Sequence, residues 1–206
     1  MKYIIMAGGN YKEFNIPKAC QIIKGEVLVE RTIRLLHDAG IGQVYISATD
    51  PRFDKYDAIR LIHDNDFEVN ERGEVTKGWW LNAYYPMNEP ACYLHGDVYF
   101  TPQAIKTIVD FQSEKNIFFG TESARNPQHL PWGEPFAFKV FNPEEFFAGI
   151  EAVKRMHLEG KTKRHPISWE LYRYLNGLDL NEQYVKDDTY IGFSDETIDY
   201  DHPVRL

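Results

Sequence analysis

The chain has 206 residues and a net charge of −8; 43% of its residues are hydrophobic and 15% aromatic. That apolar share suits a packed globular core, and the acid excess argues against a general nucleic-acid binder, which needs a basic face. No apolar run approaches the roughly 20 residues of a membrane-spanning helix. The apolar N-terminal stretch is too short for a secretory leader, so the expected compartment is the cytoplasm. Cys20 and Cys92 lie far apart without a CxxC pair, so neither a zinc site nor a disulfide is expected, only two buried, reduced thiols.

In chain order, Lys2 to Met6 reads as a buried strand and Ala7 to Pro17 as a loop opened by Gly8-Gly9. Glu26 to Ala39 has helical apolar spacing, with Gly40 as its C-cap. Gln43 to Thr49 is a second strand, completing a βαβ unit that predicts a parallel sheet with helices on its faces. Ala91 to Leu94 is a further buried strand ending at His95-Gly96-Asp97. A helix follows over Pro102 to Glu114, with Thr101 as N-cap and Pro102 in its first position. Strands are expected over Ile117 to Gly120, Pro135 to Phe141 and Thr189 to Phe193. Helices are expected over Pro143 to Met156, capped by Asn142, and over Ile167 to Leu175, after a basic turn from Lys161 to Pro166. The sum is one α/β domain over residues 1–206, with a mixed, mainly parallel sheet.

Two constellations carry chemistry. The turn Ala7-Gly8-Gly9 leaves its backbone bare, so successive N–H groups can cradle an anion. Asn10 and Lys12 lie in the same loop, and Pro17-Lys18 adds a rigid turn and a cation suited to phosphoryl transfer. Neither a P-loop nor a dinucleotide fingerprint is present, and a ligand-free sharp turn is the plain alternative. In the second constellation, Asp97 stands just past a strand end, where open α/β sheets bind ligands. A carboxylate there suits Mg²⁺, which takes one or two carboxylates plus phosphate oxygens and waters; an Asp closing a turn is the plain alternative.

The order Ile4-Ile5-Met6-Ala7-Gly8-Gly9, Pro17-Lys18 and Gly25-Glu26-Val27-Leu28-Val29-Glu30-Arg31-Thr32-Ile33 resembles the N-terminal signature of the sugar-phosphate and phosphocholine-type nucleotidyltransferases, the MobA-like NTP transferases with a GT-A-like Rossmann fold. The resemblance implies a three-layer domain in which Ala7, Gly8, Gly9, Asn10, Lys12, Lys18 and Gly78 bind the nucleotide. It gives Lys18 and Asp97 catalytic roles, and it gives Asp97 and Asp199 the metal, with Glu196 and Asp201 as alternatives to Asp199. The chain departs from the family's Gly-x-Gly-x-Arg, having Gly9-Asn10-Tyr11-Lys12 in its place. Residues 1–100 would form the nucleotide-binding half and 101–206 the acceptor-binding half.

The implied reaction is Mg²⁺-dependent transfer of NMP from an NTP to a phosphorylated small molecule, releasing pyrophosphate, for surface-polysaccharide precursors. Trp132, Glu134, Trp169 and Tyr190 are acceptor-binding candidates. An aromatic cage with Glu134 and Glu170 would suit a quaternary ammonium, although a sugar or polyol phosphate fits as well. The residues Lys161 to Arg164 are either a phosphate clamp or a solvated turn. His95, beside Asp97, is the one histidine of interest, and a packed strand-end role is its plain alternative. No nucleic-acid partner or membrane span is expected, and a homodimer is compatible with the reading. The rivals are a GT-A glycosyltransferase, a molybdenum-cofactor nucleotidyltransferase and a non-catalytic nucleotide-binding regulator.

Overall fold

The computed structural model describes residues 1–9, 16–70, 72, 74–125 and 133–200. Seven strands form the central sheet: β1 (Lys2–Met6), β2 (Val44–Ser47), β3 (Ile59–Leu61), β4 (Ala91–His95), β5 (Ile117–Thr121), β6 (Pro135–Val140) and β7 (Tyr190–Phe193). Their order across the sheet is β7-β5-β6-β4-β1-β2-β3. All neighbours run parallel except at β6, which is antiparallel to both β4 and β5.

Four helices cover the sheet: α1 (Leu28–Asp38), α2 (Pro102–Asp110), α3 (Pro143–Leu158) and α4 (Ser168–Leu175). Alternate residues of each strand feed two cores. Tyr3 and Ile5 of β1 and Cys92 and Leu94 of β4 pack with Ile33 and Leu36 of α1 and Ile105 and Ile108 of α2. Ile4, Tyr93, Phe118 and Phe138 face the other way, against Phe146 and Ile150 of α3 and Leu171 and Tyr172 of α4. The sheet is therefore sandwiched between helix layers, which is why its strands read as continuous apolar runs rather than alternating ones.

The ends of the helices differ from the expected ones for local reasons. α1 starts at Leu28 because Glu26–Val27 pairs antiparallel with Ile22–Ile23. Lys24 and Gly25, at φ 51° and 83°, turn that ribbon. At the other end Gly40 (φ 89°) closes the helix, with its N–H donating to His37 O at 2.9 Å and the Ile41 N–H to Leu36 O at 3.0 Å. The α2 helix stops at Asp110, short of the expected Glu114. There the buried Lys139 ammonium donates to the carbonyls of Ile108, Val109 and Phe111 at 2.7, 2.8 and 2.6 Å. Those bonds satisfy carbonyls that the helix end leaves open. Burial holds the Lys139 pKa below its ordinary value. Thr101 and Asn142 cap α2 and α3 as read from the sequence, accepting from the N–H groups of Ala104 and Glu145. The edge strand β3 and the ribbons Glu68–Val69 with Val75–Lys77 and Val98–Tyr99 with Ile198–Asp199 were not expected. They are too short for a periodic signal.

Candidate active site

β1 and β4 are neighbours, in register from Lys2↔Ala91 to Met6↔His95. Their carboxyl ends therefore release Ala7-Gly8-Gly9 and Gly96-Asp97 side by side. The Gly96 N–H donates to Met6 O at 3.0 Å. A Cβ on Gly96 would sit 2.6 Å from that oxygen and 3.1 Å from Ala19 Cβ, so only glycine lets the two strand ends and the Lys18 turn close up. Gly8 and Gly9 are exposed, and among the described residues no atom beyond the chain neighbours lies within 4 Å of a Cβ placed on Gly8. The room these residues leave opens into the cleft.

Lys18 begins a short 3-10 turn, Lys18–Cys20, set by Pro17. Its side chain is 5% exposed, and its ammonium lies 3.2 Å from Asp97 Oδ2. The ribbon then brings in the C-terminal acid. Asp199 pairs with Val98 in antiparallel register, and the Tyr200 N–H donates to Asp97 O at 3.0 Å. Asp97 and Asp199 thus come from adjacent strands to one rim, although they are distant in sequence.

These groups line a cleft of about 1540 Å³ together with Ala7, Gly8, Gly9, Glu134 and Trp169. Small-ligand sites span about 300–1,000 Å³, so the cleft has room for two substrates. Gly78 and Tyr190 do not line it. Gly78 turns tightly at φ 68° against Asp66, whose carbonyl oxygen would lie 2.3 Å from an added Cβ. Tyr190 is fully buried between Trp169 and Tyr172, with its hydroxyl donating to Thr121 O at 2.7 Å. Glu196 is absent from the cleft wall and pairs with Lys24 at 2.6 Å. Asn10, Lys12, Trp132 and Asp201 lie outside the described residues.

Several cleft residues were not singled out from the sequence, among them Ser47, Phe67 and Arg173. The His95 ring lies 5.8 Å from Trp80 and also faces the cleft. His165 stacks on Trp79 at 5.1 Å and accepts the Trp80 N–H at 3.3 Å. Burial, then the neighbouring His157, lowers its pKa, with Glu170 opposing. Glu170, expected to face a cation, is itself buried and accepts from Arg164 Nε at 2.8 Å and Arg173 Nη1 at 3.3 Å. Its charge is already balanced by protein.

The donor set fits Mg²⁺. Asp97 and Asp199 both line the cleft, and no cluster of three or more His, Cys, Asp or Glu side chains exists among the described residues. A closed zinc-type cage would need three or four such ligands, whereas Mg²⁺ accepts two plus waters and phosphate oxygens. No helix among the described residues is long and apolar enough to cross a membrane.

A family model described as a MobA-like NTP transferase domain matches residues 3–164. No curated protein matches the chain. Among solved structures, the chain resembles a Bacillus anthracis protein described as a glucose-1-phosphate thymidylyltransferase, at 14% identity and a TM-score of 0.58 over 96% of this chain and 89% of that one. It also resembles the CTP:phosphocholine cytidylyltransferase of Streptococcus pneumoniae, at 16% identity and a TM-score of 0.51 over 91% of each chain. At such identities these likenesses establish the shared fold.

Proposed function

This chain belongs to the MobA-like NTP transferase family, and from that premise we propose that it moves a nucleoside monophosphate from an NTP to a phosphorylated small molecule, releasing pyrophosphate. The observation that carries the reading is convergence: the Gly8-Gly9 turn, Lys18 and Asp97 open on one cleft, with Lys18 and Asp97 at 3.2 Å. In the reaction an oxygen of the acceptor phosphate bonds to the α-phosphorus, and the bond to the β-phosphate oxygen breaks in line. The acceptor is already ionised near neutral pH, so no side chain need act as nucleophile. The protein's part is positioning and charge stabilisation.

The main-chain amides of Gly8 and Gly9 hold and orient the triphosphate. Lys18, kept close by its pairing with Asp97, offsets the negative charge that builds on the transferring group. Asp97 and Asp199 are the residues that would hold Mg²⁺, which when bound supplies positive charge to the phosphate oxygens. Trp169 and Glu134 face the acceptor from residues 101–206, with the nucleotide held by residues 1–100. The acceptor is a sugar phosphate, phosphocholine or a similar compound, and the product is an activated precursor for surface polysaccharide made in the cytoplasm. A homodimer is compatible with this reading.

The test is a screen of the four NTPs against phosphorylated acceptors, including sugar 1-phosphates and phosphocholine, read as pyrophosphate release. One NTP–acceptor pair should release pyrophosphate in a manner stopped by a chelator. Glycosyl transfer from a nucleotide sugar would instead favour the glycosyltransferase reading, and nucleotide binding without any turnover would favour a regulator.

A further inference from the structure

The basic turn before α4 contributes one of two arginines on the cleft wall, and the helix contributes the other. Arg164 and Arg173 both line the cleft, and both reach the single carboxylate of Glu170. Glu170 is 2% exposed and its other oxygen accepts the Ile167 N–H at 2.9 Å, so it is fixed in place at the start of α4. Two guanidinium groups share one carboxylate, leaving an excess positive charge at this wall.

A guanidinium has five N–H donors in a planar fork. Arg173 is 5% exposed and lies 5.7 Å over the Trp169 ring; among the described residues its hydrogen bonds are made by Nη1, to Glu170 and to Leu180 O at 3.0 Å. Its buried Nε has no hydrogen-bond partner among the described residues. Arg164 engages only its Nε, and its side chain is about half exposed. A buried arginine with an unsatisfied donor is costly, and Arg173 is such a residue on the cleft lining. Asp179 and Glu182 also act on Arg173, more weakly than Glu170, but neither lines the cleft. Glu68, Asp97, Glu134 and Asp199 share the cleft with the two arginines.

We propose that Arg164 and Arg173, positioned by Glu170, form an anion subsite in the acceptor part of the cleft, selecting acceptors that place a phosphate or carboxylate there over those that place a quaternary ammonium. This rests on the transfer reading only for the word acceptor; the subsite itself is tested without turnover. Charge-assisted, bidentate pairing gives arginine its preference for such groups.

The probe is inorganic phosphate, its binding measured by calorimetry without nucleotide. Lys18→Ala removes the cation on the nucleotide side and should leave a phosphate site intact. In that background Arg164→Gln and Arg173→Lys should each weaken phosphate binding, by about tenfold for loss of a charged hydrogen bond. Arg164 is exposed enough for its variant to fold, so the test survives if the buried Arg173 variant does not. Glu170→Gln should disturb the geometry and weaken binding, although it adds net positive charge; a purely electrostatic patch would bind more tightly. With turnover in hand, Arg164→Gln should raise KM for an acceptor that carries a second anionic group besides the reacting phosphate, and leave KM unchanged for phosphocholine, whose only anion is that phosphate. Unaltered phosphate binding in Arg164→Gln, or loss of all binding in Lys18→Ala alone, would overturn the subsite. Failure of the transfer reading would show differently, as absent turnover with phosphate binding preserved.

Discussion

The two walls of the cleft are built in opposite ways. The wall beside the Gly8-Gly9 turn is mostly main chain: the ends of adjacent strands, a turn of bare glycines, and Lys18 and Asp97 held at 3.2 Å. The other wall is side chain. Trp80, Glu134 and the segment that carries Arg164, Trp169 and Arg173 come from separate parts of the chain, and Glu170 holds the two arginines. A wall made of backbone and register is rigid and general, while one made of side chains is specific. The first is expected to govern whether transfer occurs at all, and the second to govern to what.

The largest effect should come from the backbone wall. Lys18→Ala and Asp97→Asn are each expected to cut kcat by about 10²-fold or more with every acceptor; a loss confined to one acceptor would erase the division between the walls. Next comes Gly96→Ala, which forces a methyl against Met6 O and Ala19. It should cost about 1–3 kcal/mol of stability. A displacement near 1 Å between Lys18 and Asp97 should lower turnover by about 10²-fold. Unchanged kinetics would show that the close approach of the strand ends is irrelevant to the site.

On the side-chain wall, Tyr190 supports Trp169 from behind. Tyr190→Phe removes the bond to Thr121 O and should cost about 1–2 kcal/mol in denaturant unfolding, with KM for nucleotide untouched. The smallest effect is a pH slope. Burial and His157 hold the His165 pKa down, so the unfolded chain takes up a proton there before the folded one does. The stability tied to this group is complete above its unfolded value of about 6.5 and is lost as the pH falls from there through the folded value. His165→Gln should flatten that part of the stability profile, and an identical slope would assign it to other groups.

The same contrast explains what was legible in the sequence. Ala7-Gly8-Gly9 and Gly96-Asp97 are contiguous motifs beside strongly apolar strands, so their place at strand ends follows from local patterning, and Pro17-Lys18 is legible as a rigid turn. Asp199 was readable only through resemblance, because a two-residue strand pairing with Val98–Tyr99 leaves no periodic trace. Gly78, which the resemblance assigns to the nucleotide, is a glycine because an added Cβ would meet Asp66. Tyr190 and Trp169 look alike as aromatics near the C-terminal half, and only tertiary packing puts one in the core and the other on the cleft. Arg173 gave no signal at all, because nothing in the spacing of α4 tells a buried, cleft-facing arginine from a solvated one.

On the proposed function, one triphosphate touches the glycine turn while Asp97 would hold the metal at its phosphates. A crystal structure with a non-hydrolysable NTP analogue and Mn²⁺ tests it most directly. The phosphates should lie on the amides of Gly8 and Gly9, with the ion between them and the carboxylates of Asp97 and Asp199. A nucleotide bound elsewhere, or an ion held away from Asp97, would contradict the account.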